Sequence, residues 1–196
     1  KEVGINDFLN SQFDCPIFLN IDVMDYNVRI DGRQANFNDF INNPSGYKSS
    51  FMKYAKHTDI YIAGHYYGSG APYLFTRNDV KSSDFNISVV ADVSCDIDGP
   101  VATTIRPSII TDPIYGYNPK TEKEDNYMKD GVVAVMAVDN LPCELPKDSS
   151  EDFGEHLIDS IIPIITINNN IIEGAIICEK GDLTKNHEYL RDFITS

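Results

Sequence analysis

Gly131–Phe153, GVVAVMAVDNLPCELPKDSSEDF, decides how this chain is read. Val132 to Val138 is a run of small and β-branched residues without polar alternation, the pattern of a strand buried on both faces. The run stops at Asp139-Asn140-Leu141-Pro142, where polar groups collect at the strand's carboxyl end and Pro142 forbids further pairing. A helix is expected next, with Ser149-x-x-Asp152 in capping-box spacing and Asp148, Glu151, Asp152 and Glu155 around its positive end. In open α/β sheets ligands bind outside the carboxyl ends of strands, so Asp139 stands where a ligand would arrive. An ordinary strand-to-helix turn explains the same residues without a ligand.

Three blocks narrow the choice: Val138–Gly154 (VDNLPCELPKDSSEDFG), Val90–Gly99 (VADVSCDIDG), and the tail's Ile172-Ile-Glu-Gly-Ala175, Gly181-Asp-Leu-Thr184 and Tyr189-Leu-Arg-Asp192. Together they resemble the lysine-forming saccharopine dehydrogenases and lysine-ketoglutarate reductases, relatives of alanine dehydrogenase and the transhydrogenase NAD-binding domain. The blocks cover the second half of the chain in the family's order. The resemblance implies an α/β, Rossmann-like, mainly parallel sheet flanked by helices. It implies interconversion of saccharopine with lysine and 2-oxoglutarate by hydride transfer, with NAD or NADP as cofactor. By the same resemblance Asp139 and then Asp96 act at the nicotinamide and substrate end, and Tyr66, Asp92, Val138, Asn140 and Leu141 line the cofactor pocket with Asp139. An alanine dehydrogenase-like enzyme and a non-catalytic ligand-sensing or interaction domain on the same fold are the rival readings.

The chain opens with Lys1 and contains no G-x-G-x-x-G; Gly68-Ser69-Gly70 is too short. In the family the glycine-rich turn lies upstream of the point matching Lys1. The expectation is therefore a carboxyl-terminal fragment lacking the first strand, glycine-rich turn and helix. Residues 1–165 would form the partial dinucleotide-binding domain and 166–196 a segment packing back toward a missing amino-terminal domain, which would also hold the acid-base pair. A dimer covering the exposed sheet edge follows from the same reading.

Composition sets outer limits. With 196 residues and 42% apolar content the chain can bury one substantial core. A formal charge of -14 argues against nucleic acid and anionic membranes as partners; the resemblance implies a small amino-acid substrate. No apolar stretch approaches the ~20 residues of a membrane helix, and no signal-peptide pattern opens the chain. Cys15, Cys95, Cys143 and Cys178 form no CxxC pair, which suits reduced cytoplasmic thiols. Cys95 and Cys143 read as semi-buried packing residues rather than nucleophiles.

Taken in order, Lys1–Ile5 and Pro16–Asp22 read as strands, with Asp7 either a ribose ligand or a helix cap. Val28–Asp31 reads as a short strand ending at the Asp31-Gly32 turn. Helical spacing follows in Phe37, Phe40 and Ile41 and again in Tyr47, Phe51, Met52 and Tyr54, broken by Asn43-Pro44-Ser45-Gly46. Asp59–Ala63 is a buried strand running into the loop Gly64–Pro72, where His65 reads as a solvated side chain more readily than a proton carrier. Thr76–Lys81 is a weak helix and Ile87–Asp92 a further buried strand. Asp92, Asp96 and Asp98 form no EF-hand pattern, and no metal is expected. Val101–Asp130 reads as a long polar connection; Arg106 beside it either clamps a substrate carboxylate or is a surface arginine. After Asn168-Asn169-Asn170, a loop signal, Ile171–Ile177 and His187–Phe193 give a mixed segment and a short helix.

Overall fold

The computed structural model describes residues 1–68, 70–167 and 169–194; Ser69 of the Gly64–Pro72 loop and Asn168 of the Asn168–Asn170 loop lie outside the described residues, as do the last two. The chain forms two compact units, Lys1–Leu141 and Pro142–Ser196.

The first unit begins with α1 (Ile5–Asn10), α2 (Val23–Tyr26) and β1 (Asn27–Arg29). Then come α3 (Phe37–Asn42), β2 (Tyr47–Ser49), α4 (Met52–Ala55), β3 (Ile60–Ala63), α5 (Arg77–Val80) and β4 (Val89–Asp92). It closes with β5 (Ile114–Asn118), β6 (Lys123–Asp125) and β7 (Val133–Met136). β3, β4, β7, β5 and β6 form one sheet in that order, and β1 and β2 form a separate antiparallel pair. β3–β4 and β4–β7 are parallel, while β5 and β6 add an antiparallel hairpin beside β7. The expected α/β architecture, Rossmann-like with a parallel centre and flanking helices, is what the structure contains.

Local chemistry explains the boundaries. Thr76 caps α5 by a reciprocal capping box with Asp79, and Asp22 does the same for α2 with Asp25. Asn36 caps α3 by accepting the Asp39 N–H. Gly116 in β5 is required for space: a Cβ there would sit 2.4 Å from the Asp125 carbonyl and 2.6 Å from the Tyr127 nitrogen.

The strand register sorts the side chains onto two faces. Tyr61, Val90, Val135 and Tyr115 align across the sheet, with Ala63, Asp92, Val133 and Tyr117 on the same side. Phe51, Tyr54, Phe75, Val80 and Ile87 complete the core with them. Phe51 lies 4.8 Å from Tyr61 and 5.7 Å from Phe75 between ring centroids, contacts that add to the ~1.5–3 kcal/mol each large buried side chain contributes.

Several sequence expectations need correction. Lys1–Ile5 and Pro16–Asp22 are not strands; a single parallel bridge joins Glu2 to Phe18, held by Val3 N to Phe18 O at 3.0 Å and Phe18 N to Lys1 O at 2.9 Å. Their apolar runs lack a neighbouring ladder that would extend the pairing. Asp7 lies inside the first turn of α1 rather than at its cap. The second aromatic stretch is not all helix: Tyr47–Ser49 pairs with Asn27–Arg29, and only Met52–Ala55 coils. Val101–Asp130 is no plain connection, because Ile114–Asn118 is a strand whose tyrosines fill the core.

The second unit has α6 (Pro146–His156), α7 (Asn170–Ala175), a two-residue pair β8 (Cys178–Glu179) and β9 (Asp182–Leu183), and α8 (Arg191–Ile194). α6 does not use the expected capping box. It starts at Pro146, whose fixed φ suits the first helical position, and Ser149 lies within the helix with its hydroxyl on the Pro142 carbonyl. Phe153, Ile158, Ile162 and Ile165 are exposed. Arg191 ties Asp182 to Glu188 by ion pairs of 2.5 and 2.6 Å.

Candidate functional site

β3, β4 and β7 run parallel, so their carboxyl ends meet on one side of the sheet. Gly64 and His65 follow β3 directly, Asp92 ends β4, and Asp139 stands three residues after β7. The turn after β4 is organised by Asp92, which is fully buried. One carboxylate oxygen accepts from the Ser94 N–H (3.0 Å), the Cys95 N–H (3.2 Å) and the Ser94 hydroxyl. The other accepts from Thr104 Oγ1 at 2.6 Å. Four donors satisfy a charge that would otherwise be costly to bury. This anchoring holds Cys95 at a φ of 53°, a left-handed turn that leads the chain into Asp96.

Ser108 anchors the segment after β7. Its Oγ accepts the Ala137 N–H at 2.9 Å, and its own N–H donates to the Ala137 carbonyl at 2.8 Å. A parallel bridge joins it to Val138, which is buried, while Asp139 and Asn140 are exposed and Leu141 half-buried.

Electrostatics tie the group together. Burial, and then the charges of Asp92, Asp139 and Asp96, hold the Cys95 thiol above its ordinary pKa, so it stays protonated. Its Sγ donates to the Asp92 carbonyl at 3.2 Å, which supports packing over nucleophilic chemistry. Cys143 is exposed, and all four cysteines are free. Burial pushes the His65 imidazole below its ordinary pKa, against the pull of Asp92 and Asp96. Both His65 nitrogens are shielded from solvent without a hydrogen-bond partner, a state that costs about 1–3 kcal/mol per unmet group. The sequence reading expects His65 in solvent; its place two residues past the buried end of β3 was the available signal.

Asp92, Asp96, Asp139 and Val138 therefore gather at one end of the sheet. Tyr66 stands in solvent, at 91% exposure. Arg106 has its fork engaged by Glu124 at 2.7 and 2.8 Å, and its guanidinium lies 4.4 Å from the Tyr115 ring centroid. Thr104 and Ser108, the two buried hydroxyls that fix the strand ends, carried no sequence signal beyond their type. Among the described residues no group of three or more histidine, cysteine or carboxylate side chains could hold a metal ion. No helix among them is long and apolar enough to cross a membrane.

A cleft of about 1500 Å³ opens beside β3, lined by Tyr61, Ile62, Gly64 and His65 on one side and by Phe18, Ile21 and Phe40 on the other. The strand-end crevice with its carboxylates fits the nicotinamide and ribose portion of a dinucleotide, whose ring is cationic in the oxidised form, and disfavours phosphate.

A parallel sheet with an acidic, hydroxyl-braced crevice at its strand ends defines a Rossmann-like α/β protein. Residues 18–186 match the family described as alanine dehydrogenase/PNT, C-terminal domain, and the chain belongs to that family. It is similar to alpha-aminoadipic semialdehyde synthase of Arabidopsis thaliana, 27% identical over 161 residues, covering 78% of this chain and 15% of that protein. The mitochondrial alpha-aminoadipic semialdehyde synthase of Mus musculus is 25% identical over 176 residues, with 76% and 19% covered. A saccharopine dehydrogenase [NAD(+), L-lysine-forming] of Schizosaccharomyces pombe is 30% identical over 117 residues, with 57% and 29% covered. The chain thus spans less than a third of the length of each of these relatives.

Proposed function

We propose that this chain is the cofactor-binding part of an amino-acid oxidoreductase that interconverts saccharopine with lysine and 2-oxoglutarate, using NAD or NADP. The observation that carries the reading is the convergence of Asp92, Asp96 and Asp139 at the carboxyl ends of adjacent parallel strands, in a family defined by dehydrogenases. The names of the relatives, saccharopine dehydrogenase among them, supply the substrate class. The cofactor supplies the hydride chemistry, while the protein positions and polarises. On this reading Asp92 is a strut that shapes the crevice, since its oxygens already accept four hydrogen bonds. Asp139 and Asp96 keep free oxygens toward the ligand and stabilise the amine that gains positive charge. Val138, Asn140 and Leu141 offer backbone groups to the nicotinamide side, and Tyr66 reaches over it from the loop. Arg106, with its fork spent on Glu124, is not part of the proposal. Residues 166–196 belong to a segment serving the rest of the enzyme, four free cysteines suit a cytoplasmic setting, and the open sheet edge favours a homodimer.

The test is turnover of the full-length protein with saccharopine and each nicotinamide cofactor. Asp139→Ala should lower kcat by ~100-fold or more while changing cofactor affinity far less. Equal turnover in variant and wild type removes Asp139 from the site. Activity with alanine in place of saccharopine moves the protein to the alanine dehydrogenase reading, and sedimentation as a monomer ends the dimer.

A further inference from the structure

Asp139 stands on backbone that lies beyond the ladders of the sheet. Both ladders of β7 end at Met136, which pairs with Ala91 of β4 on one side and Ile114 of β5 on the other. Ala137 and Val138 separate that last pair from Asp139, and both are buried. Buried backbone groups need partners, and past Met136 the neighbouring strands no longer supply them. Ser108 does so for Ala137. Its Oγ accepts the Ala137 N–H at 2.9 Å, and its N–H donates to the Ala137 carbonyl at 2.8 Å. The hydroxyl takes the place of a ladder carbonyl, and the pairing carries on as a parallel bridge to Val138. The Val138 N–H turns to the Met136 thioether at 3.4 Å, a weak acceptor. Ser108 therefore ties down the chain two residues before Asp139.

Ser108 is itself firmly held. It ends a strap, residues 101–108, in which Val101, Ala102, Thr103 and Thr104 are at most 5% exposed. Thr104 binds Asp92, so the same strap braces the end of β4. The Tyr115 hydroxyl accepts the Ile105 N–H at 3.0 Å and donates to the Thr103 carbonyl at 3.1 Å. Arg106 donates to the carbonyl of Pro107, the residue before Ser108, at 3.1 Å. The same guanidinium grips Glu124 of β6 and lies over the Tyr115 ring. Pro107 adds its fixed φ. A support locked by its own contacts can hold a site group to a fraction of an ångström.

We propose that Ser108 is a positioning residue for Asp139: through Ala137 and Val138, its hydroxyl sets where the Asp139 carboxylate stands at the crevice. This rests on the reading of Asp139 as a group that acts at the reacting centre. Ser108 is 1% exposed and out of a ligand's reach, so it acts through the backbone alone. Arg106, one of the residues singled out in the sequence, gains a part here as the clamp on the strap. A misplacement of about 1 Å in a reacting group costs up to about 100-fold in rate. Loss of the Oγ removes one of the two bonds to Ala137 and leaves the other.

The experiment is a double-mutant cycle in the full-length protein, with saccharopine and a nicotinamide cofactor as substrates. Ser108→Ala is made in wild type and in Asp139→Asn, which keeps the side chain's size and removes its charge. Ser108→Ala should lower kcat about 10-fold in wild type and less than about 2-fold in Asp139→Asn. A residue that merely stabilises the fold would give the same fold-loss in both backgrounds, and that result overturns the proposal. Unchanged kcat for Ser108→Ala in the wild-type background overturns it as well. Both results leave the functional reading intact. Ser108→Cys, a side chain of similar size with a weaker acceptor, carries the same comparison if Ser108→Ala does not fold. Its loss should be smaller, about 3-fold, and again confined to the background that keeps Asp139. Wild-type turnover in Asp139→Asn alone removes Asp139 from the site, and the functional reading of that residue falls together with this proposal.

Discussion

The two faces of the five-stranded sheet are built from similar residues and have opposite fates. On one face Val90, Val135, Tyr115 and Tyr117 are at most 2% exposed beneath the aromatic cluster. On the other, Ile60, Ile62, Val89 and Ile114 align in register at 63%, 69%, 38% and 41% exposure. Parallel strands are normally covered on both sides, so apolar character alone does not say which side is covered. The lesson is that a strand's composition sets its capacity for burial, and its neighbours decide how much of that capacity is used. A contiguous apolar stripe of this kind marks a surface for association.

Substitutions on the two faces test that contrast most severely. Phe75→Ala, deep in the covered face, should cost about 3–5 kcal/mol in urea denaturation, because a cavity adds to the lost transfer energy. A cost near zero would mean that the aromatic cluster is not the core. Next in size is Asp92→Ala, at the rim where the covered face meets the crevice. It strands the Thr104 and Ser94 donors and should cost roughly 2–3 kcal/mol, with Thr104→Val about 1 kcal/mol. Equal, negligible losses in both would show that the carboxylate organises nothing.

A smaller effect should appear with pH. The folded state holds His65 below its ordinary value of 6.5, so it binds a proton less readily than the unfolded chain does. The stability this contributes is complete above pH 6.5 and is lost as pH falls toward the folded-state value. The denaturation midpoint should decline below pH 6.5 in wild type and more shallowly in His65→Leu; parallel profiles would contradict a buried, neutral imidazole. The smallest change belongs to the open face. Ile62→Ala should alter stability by no more than about 0.5 kcal/mol. A loss as large as that of Phe75→Ala would abolish the distinction between the faces.

Much of this architecture was legible in the sequence. β3, β4 and β7 were each visible as short apolar runs ending in polar residues, and the cap at Thr76 marks α5 by a local rule. The resemblance groups Asp92, Asp96 and Asp139, and the parallel register sets the carboxyl ends of β4 and β7, at or after which they stand, on one side of the sheet. What failed depended on distant partners. Pro16–Asp22 has strand composition without the ladder to complete it, and Ile114–Asn118 was hidden between turn signals although Tyr115 and Tyr117 are core residues. The start of α6 went to Pro146 because backbone geometry outweighed side-chain spacing. His65 was misjudged since burial of a loop side chain depends on what surrounds it.

The strand order has a consequence for synthesis. β7 lies between β4 and β5 in space, yet it is the last of the five strands to be made. Until Val133–Met136 has left the ribosome, β3 and β4 form one ribbon and β5 and β6 another, with no strand to join them. Two-stranded ribbons are marginal in water, so the nascent unit waits half-zipped with Phe75 and Tyr117 unburied, and its closure is a single late event. A stop codon or stall before Val133 therefore yields no partly working sheet, only a client for chaperones and proteases.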